Sequence, residues 1–274
     1  VTGFVAMPGS LGPWQGGRFG GGSCVLAGNP GPMTLDGTNT WLLEVDEDSV
    51  VLVDPGPDDR THLAAVEQEL AGRRVREILL THGHADHSEG AGLFAGQFAA
   101  PVRALDPAHR LGDEGLSAGE VLVYADLEVH IVGTPGHTSD SVSMHLPQRA
   151  ALLTGDTILG RGTTVVAHPD GRLGDYLASL RALSDLVQTA GATQVWPGHG
   201  PVLPDAAAAL TAYLDHRHAR LEEVAAALES TDPDAGIEAT AQEIVEKVYA
   251  EVPRVLWPAA LLSVRAQLEY LGRV

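Results

Sequence analysis

Four side chains able to bind a metal stand within six residues of Thr81-His82-Gly83-His84-Ala85-Asp86-His87, directly after the apolar run Ile78-Leu79-Leu80. A strand that ends in this way sends alternate histidines to one side, and the turn that follows sends the aspartate and the next histidine to another. Two adjacent metal ions account for the arrangement most simply, and neutral imidazole with carboxylate suits zinc and its first-row neighbours. Solvated loop residues would look the same one at a time. They would not explain three later segments, Thr134-Pro135-Gly136-His137-Thr138, Leu153-Thr154-Gly155-Asp156-Thr157 and Trp196-Pro197-Gly198-His199-Gly200. Each follows a short apolar run, and glycine or proline beside the histidine or aspartate lets the chain turn sharply where the strand ends. The side chain then projects from a rigid edge. Asp54 is placed in the same way, after the apolar residues 50–53 and ahead of Pro55-Gly56.

In order and chemistry these segments resemble the metallo-β-lactamase superfamily. The resemblance implies an α/β protein built as a four-layer αββα sandwich with a small C-terminal helical domain. It implies two zinc ions, one held by His82, His84 and His137, the other by Asp86, His87 and His199, with Asp156 bridging them. The reaction implied is metal-assisted attack by water, with Asp86 accepting or relaying a proton while it remains a ligand. Asp54 matches the family's supporting aspartate, which is expected to hold the ligand loop by hydrogen bonds. The segments Asn29-Pro30-Gly31-Pro32-Met33-Thr34-Leu35-Asp36-Gly37-Thr38-Asn39-Thr40 and Gly155-Asp156-Thr157-Ile158-Leu159-Gly160-Arg161-Gly162-Thr163-Thr164 are similar to one branch. That branch contains the mitochondrial endoribonuclease related to β-lactamases, and polyketide acyl-carrier-protein thioesterases share much of the first motif.

Five positions bear on the substrate. Glu89 and Asp140 stand where members of the family commonly carry glycine, and Asp140 adds negative charge that disfavours a polyanion. Dinuclear lactamases place cysteine where this chain has Asp156, so antibiotic hydrolysis is not the expected activity. Arg161, close to Asp156, is a candidate clamp for a carboxylate or phosphate. His168, reached by the run Thr163-Thr164-Val165-Val166-Ala167, is a candidate to line the substrate cleft.

The elements that must position these residues follow from apolar periodicity. Strands are expected at residues 23–27, 40–44, 50–53, 78–81, 121–124, 127–132, 141–146, 150–154 and 193–196, with a short one near Val102. Helices are expected at 60–71, 90–97 and 175–190. Residues 1–22 are glycine-rich and read as a flexible N-terminal arm, and residues 23–204 as the catalytic domain. From residue 205 the composition turns to helix formers, giving a helical, winged-helix-like domain over 205–274. Asp205 caps a helix whose buried face is expected to carry Leu210, Leu214, Leu221, Val224 and Leu228, with Asp215, Arg217, Arg220 and Glu222 opposite. Thr240-Ala241-Gln242-Glu243 reads as a capping box that opens a second helix, and a third follows Pro258.

Composition sets the frame. The 274 residues, 44% of them hydrophobic, suffice for one large core and a small appended domain. Seventeen Lys and Arg against 36 Asp and Glu give a formal charge of −19, a field that repels nucleic acid. Cys24 is the one cysteine, which excludes a disulfide framework and any Cys-x-x-Cys motif and fits a reducing cytoplasm. Residues 1–19 have neither a basic nor a long apolar region, and no run of 18 apolar residues occurs, so neither export nor membrane insertion is expected. The expected function is a dinuclear zinc hydrolase of an ester, thioester or similar small substrate. A single-strand-specific endoribonuclease, with RNA as partner, and a mononuclear iron redox enzyme of the same fold are the alternatives. Exposed Leu and Trp near the end are compatible with a homodimer.

Overall fold

The chain was described from a computed structural model, in which residues 13–232 and 236–273 are described. Eleven strands form two sheets. The first contains β1 (Gly17–Phe19), β2 (Gly22–Leu26), β3 (Asn39–Asp46), β4 (Ser49–Val53), β5 (Arg74–Leu79) and β6 (Val102–Arg103), side by side in chain order. The second contains β7 (Val121–Val123), β8 (Glu128–Gly133), β9 (Val142–Leu146), β10 (Ala151–Gly155) and β11 (Gln194–Pro197), again in chain order. Most neighbours are antiparallel, but β4, β5 and β6 are parallel, as are β10 and β11. A parallel pair needs a crossover, and helices supply it. These are α1 (Arg60–Leu70), the short α2 (Ala85–Ser88) with α3 (Ala91–Phe98), and α4 (Leu173–Ala190).

The central strands are apolar on both faces because both faces are covered. On β3, Trp41, Leu43 and Val45 point to the other sheet, where they meet Ile131, Met144 and Leu153, while Leu42 points outward to the helices. Leu42, Leu52 and Ile78 pack on Leu63, Val66 and Phe94, and on the far side Leu152 and Val195 pack on Tyr176, Leu180 and Leu183. The result is the expected αββα sandwich. Trp41 and Trp196 stack across the two sheets with ring centroids 4.7 Å apart and planes 13° apart, and Trp41 Nε1 donates to the Pro197 carbonyl at 3.1 Å. Cys24 is buried in this inter-sheet core, and burial pushes its thiol well above the usual range, in keeping with a packing role.

Three expectations need correction. Residues 17–22 of the anticipated flexible arm form β1 and the start of β2, tied down because Trp14 and Phe19 reach the inter-sheet core and Trp14 Nε1 donates to Asn39 Oδ1 at 2.7 Å. Residues 1–12 lie outside the described residues. The second C-terminal helix, α6 (Ile237–Val248), starts three residues before the anticipated capping box, so the Thr240 N–H donates to the Gly236 carbonyl inside the helix. Ile237 explains this, since it packs on the apolar cluster of Val224, Ile244 and Val264. The third correction concerns the long helix α5 (Ala206–Leu228), capped by Asp205, whose carboxylate accepts from the Ala208 N–H. Its buried residues are Ala206, Ala209, Leu210, Tyr213, Arg217 and Val224, so Arg217 lies on the inward face. The helix serves two cores, its first half packing on α4 and its second on α6 and α7 (Trp257–Tyr270). No described helix is long and apolar enough to cross a membrane.

Candidate metal centre

All seven expected ligands gather where strands or the loops after them leave one edge of the sandwich. His82, His84, Asp86 and His87 follow β5, His137 follows β8, Asp156 follows β10 and His199 follows β11. They fall into groups whose ligand atoms lie within 4.8 Å of one another: His82, His84 and His137; Asp86, His87 and His199; and His82, His87 and Asp156. The third group ties the first two together. Asp156 reaches both, with Oδ1 3.4 Å from His87 Nε2, and Oδ2 3.4 Å from His199 Nε2 and 3.7 Å from His137 Nε2.

Tautomers show what the centre wants. The outer nitrogen of four rings has a fixed acceptor: His137 Nδ1 lies 2.7 Å from the Val165 carbonyl, His199 Nδ1 3.1 Å from the Gly37 carbonyl, and His87 Nδ1 2.9 Å from Asp54 Oδ2. His82 Nδ1 lies 3.0 Å from Thr81 Oγ1, whose own proton goes to Asp54 Oδ2 at 2.7 Å. In each neutral ring the lone pair therefore sits on the inward Nε2. Inward nitrogens approach closely: His82 Nε2 and His137 Nε2 are each 3.1 Å from His84 Nδ1, and the Nε2 atoms of His87 and His199 are 3.2 Å apart. Facing lone pairs repel unless a cation lies between them.

Charge points the same way. Burial raises the Asp156 carboxyl, but the neighbouring His199 and His87 outweigh it and hold the group well below the usual carboxylate range. Burial lowers His199, yet Asp156 and Asp86 outweigh it and push the ring up to about 9. His82, by contrast, is driven well down by burial and by the adjacent His87 and His137. The carboxylates thus draw positive charge into a place where the histidines cannot all carry protons. Asp156 Oδ1 is moreover buried without a hydrogen-bond partner among the described residues. A donor set of five imidazoles and two carboxylates, aimed inward and short of a cation, fits divalent first-row metals.

Asp54 organises this centre from beneath. It is fully buried, its Oδ1 accepts from the Thr81 N–H at 2.8 Å, and its Oδ2 accepts from Thr81 and His87. One carboxylate thus orients a ring in each main group. Its own backbone is left-handed, with φ of 53°, a conformation aspartate tolerates better than most residues. Gly198 is required by packing, since a Cβ there would lie 2.6 Å from Asp156 Oδ1 and 2.7 Å from His87 Cε1.

A cavity of about 360 Å³ opens beside the centre, with His137 and Asp156 in its wall. One side is built by Met33, Leu35, Leu159 and residues 161–165, the other by α5, α7 and the segment before α7. Arg161, the candidate clamp, lines it and pairs with Asp36 at 2.6 Å. His168 is not among the lining residues; its N–H meets the Leu262 carbonyl on α7 instead. Sequence reasoning set Arg217 and Arg220 on a solvated face of α5 and gave His216 no part in the site, yet all three line the cavity. Burial and the adjacent Arg217 and Arg220 push His216 down to about 4, so its ring is neutral. It also missed His109, which comes within 4.8 Å of Asp106 and Asp140 and lies against Gly83 of the ligand loop. The spacing of Asp106 and His109 on one turn was the available signal for that group.

The comparisons with known proteins agree with this geometry. Residues 33–199 match the family described as Metallo-beta-lactamase superfamily, and residues 240–273 match the Beta-lactamase associated winged helix domain. The chain is 33% identical over 259 residues to a Beta-lactamase-like protein 2 homolog of Caenorhabditis elegans, covering 90% of this chain and 82% of that one. It is 32% identical over 243 residues to an Atrochrysone carboxyl ACP thioesterase of Aspergillus fumigatus, covering 84% of this chain and 73% of that one. Among solved structures, a metallo-beta-lactamase family protein from Thermus thermophilus superposes with a TM-score of 0.74 at 25% identity, covering 92% and 93% of the two chains. With its ligand-bearing strand ends, its αββα layers and its helical C-terminus, this chain belongs to the metallo-β-lactamase superfamily.

Proposed function

We propose that the chain is a hydrolase that uses two divalent ions, zinc by donor type, to turn water on an ester or thioester. The observation that carries the reading is the sharing of Asp156 between two inward-facing donor groups beside a largely apolar cavity. His82, His84 and His137 would hold one ion, and Asp86, His87 and His199 the other. When bound, such ions acidify water and polarise the scissile carbonyl, with the water's pKa falling to about 7 in favourable sites.

The remaining work falls to the chain. The Asp54–Thr81–His82 and Asp54–His87 hydrogen bonds fix the imidazoles before substrate arrives, so no reorganisation accompanies the reaction. Asp86, with a side chain 28% exposed and Oδ2 3.2 Å from His199 Nε2, is placed to take the proton from the attacking water and pass it to the departing sulfur or oxygen. In balance, a carbon–oxygen bond forms, the carbon–sulfur or carbon–oxygen ester bond breaks, and the products are a carboxylic acid and a thiol or alcohol. The apolar wall shields the acyl group. The thioesterase of Aspergillus fumigatus, similar over most of this chain, supports an acyl substrate.

Metal analysis of protein purified without added metal, followed by turnover of acyl thioesters and single-stranded RNA by the zinc-loaded sample, tests the proposal. Two zinc ions per chain and thioester turnover are expected. One iron, or RNA cleavage with thioesters untouched, would overturn it.

A further inference from the structure

Three arginines line the cavity, and they differ in one respect. Arg161 is paired with Asp36, and Arg220 donates to Glu223 Oε2 at 2.6 Å and to the Val248 carbonyl at 3.0 Å. Arg217, 7% exposed, forms no ion pair among the described residues. Its Nη2 donates to Thr163 Oγ1 at 2.9 Å and to the Thr164 carbonyl, and its guanidinium lies 4.9 Å from the centre of the Tyr176 ring. Its Nε is buried without a hydrogen-bond partner among the described residues. A buried charge is ordinarily neutralised, because desolvating it alone is costly. In a chain with 36 acidic and 17 basic residues, a buried cation without a carboxylate is conspicuous.

The position of Arg217 is informative. Thr164 Oγ1 donates to the Asp156 carbonyl at 2.6 Å, and the Val165 carbonyl holds His137. The segment that Arg217 grips therefore also carries contacts to two candidate metal ligands. A group bound at Arg217 would share one cavity with a carbonyl poised at the centre.

We propose that Arg217 recognises an anionic group on the acyl substrate, so that the preferred substrate is an apolar acyl thioester or ester ending in a carboxylate. This rests on the hydrolase reading above. A single carboxylate is favoured over a phosphate because Asp156 lines the same cavity and Asp36 already neutralises Arg161 in its wall, so that Arg217, without an ion pair among the described residues, balances one negative charge.

The test uses the zinc-loaded full-length protein and two series of N-acetylcysteamine thioesters, one of succinate, glutarate and adipate, the other of butyrate, pentanoate and hexanoate. The carboxylate series is expected to be favoured in kcat/KM by roughly 10- to 100-fold at the best chain length, the range of a charge-assisted hydrogen bond. Arg217→Met should bring the ratio close to one, mainly through KM, and Arg217→Lys should restore part of it. Calorimetry supplies a second readout, since free glutarate or adipate should bind the parent protein and not Arg217→Met. Circular dichroism and metal content identify a variant that has merely lost its fold, and Arg217→Lys then decides. Equal turnover of the two series by the parent protein, or a ratio unmoved in both variants, would overturn the proposal. So would inorganic phosphate or a short oligoribonucleotide binding through Arg217 more tightly than either dicarboxylate. Arg217-dependent dicarboxylate binding without turnover of any thioester would support the anion site while removing the hydrolase reading alone.

Discussion

The two walls of the cavity are built on different principles. The wall of candidate metal ligands is held by polar contacts of fixed direction, in which Asp54, Thr81, Val165 and Gly37 each pin one or more imidazoles. The helical wall is held by apolar faces, with polar ties from Tyr213, whose hydroxyl accepts from the Leu159 N–H at 2.8 Å, and from Arg217, which donates to Thr163 and Thr164. Directional bonds position atoms for chemistry, whereas apolar packing fixes shape and tolerates change. On the proposed hydrolase reading, the first wall would set the reaction and the second what fits.

The largest effect is expected from removing the second wall. Deleting residues 205–274 strips Ala206, Ala209, Leu210 and Tyr213 from the cluster over α4 and uncovers Leu180, Leu183 and Val187. The remaining protein should aggregate, as size-exclusion chromatography would show. A soluble, fully active truncation would mean that the walls are independent. Next comes the first wall itself. His84→Ala should remove activity and lower the occupancy of one metal, while Asp156→Ala should lower both, measured as bound metal per chain by mass spectrometry. Full metal content in the Asp156 variant would refute the shared-ligand assignment.

A finer cut separates position from ligation. Asp54→Asn keeps a residue that tolerates the left-handed backbone, but an amide cannot accept the three hydrogen bonds that the carboxylate accepts from Thr81 and His87. Metal affinity or kcat should fall by roughly 10- to 100-fold with the fold intact. The smallest effect lies on the helix behind the wall of candidate metal ligands. His62 on α1 contacts Thr40 Oγ1 at 2.7 Å, and burial pushes it down to about 4 from 6.5. Below about pH 6.5 the unfolded chain takes up a proton that the folded one refuses, so stability present above that pH is lost as pH falls toward 4. Between about pH 7.5 and about pH 5 this amounts to ~2 kcal/mol. Urea unfolding of His62→Gln should show a correspondingly weaker loss on acidification than the parent protein, and an identical loss would remove His62 as a cause.

The same contrast governs how much could be read from the chain. The gathering of the candidate ligands was legible because each sits at or just after a strand end beside glycine or proline, where spacing fixes its direction over a few residues. Asp54 was legible for the same reason, but its partner Thr81 was not, because a threonine before the first histidine carries no mark of the hydroxyl's double duty. The helical wall was legible as helices and not as a surface. On α5, alanine leaves the inward face undetermined, and Leu214 and Leu221 suggested a stripe that the tertiary contacts rotate toward Arg217. A charged side chain reads as solvated until a cavity is found around it. The arm over residues 17–22 was misread because its glycines conceal the pairing of β1 with β2 that Trp14 and Phe19 secure against the inter-sheet core.

The stacked Trp41 and Trp196 have an optical consequence. Two indoles 4.7 Å apart and nearly parallel couple their strong electronic transitions, giving a paired signal in far-ultraviolet circular dichroism that neither gives alone. One ring belongs to each sheet, and Trp196 stands three residues before His199 on the strand that delivers it. The chain therefore carries its own spectroscopic gauge of inter-sheet alignment, placed where that alignment sets the direction of a candidate metal ligand.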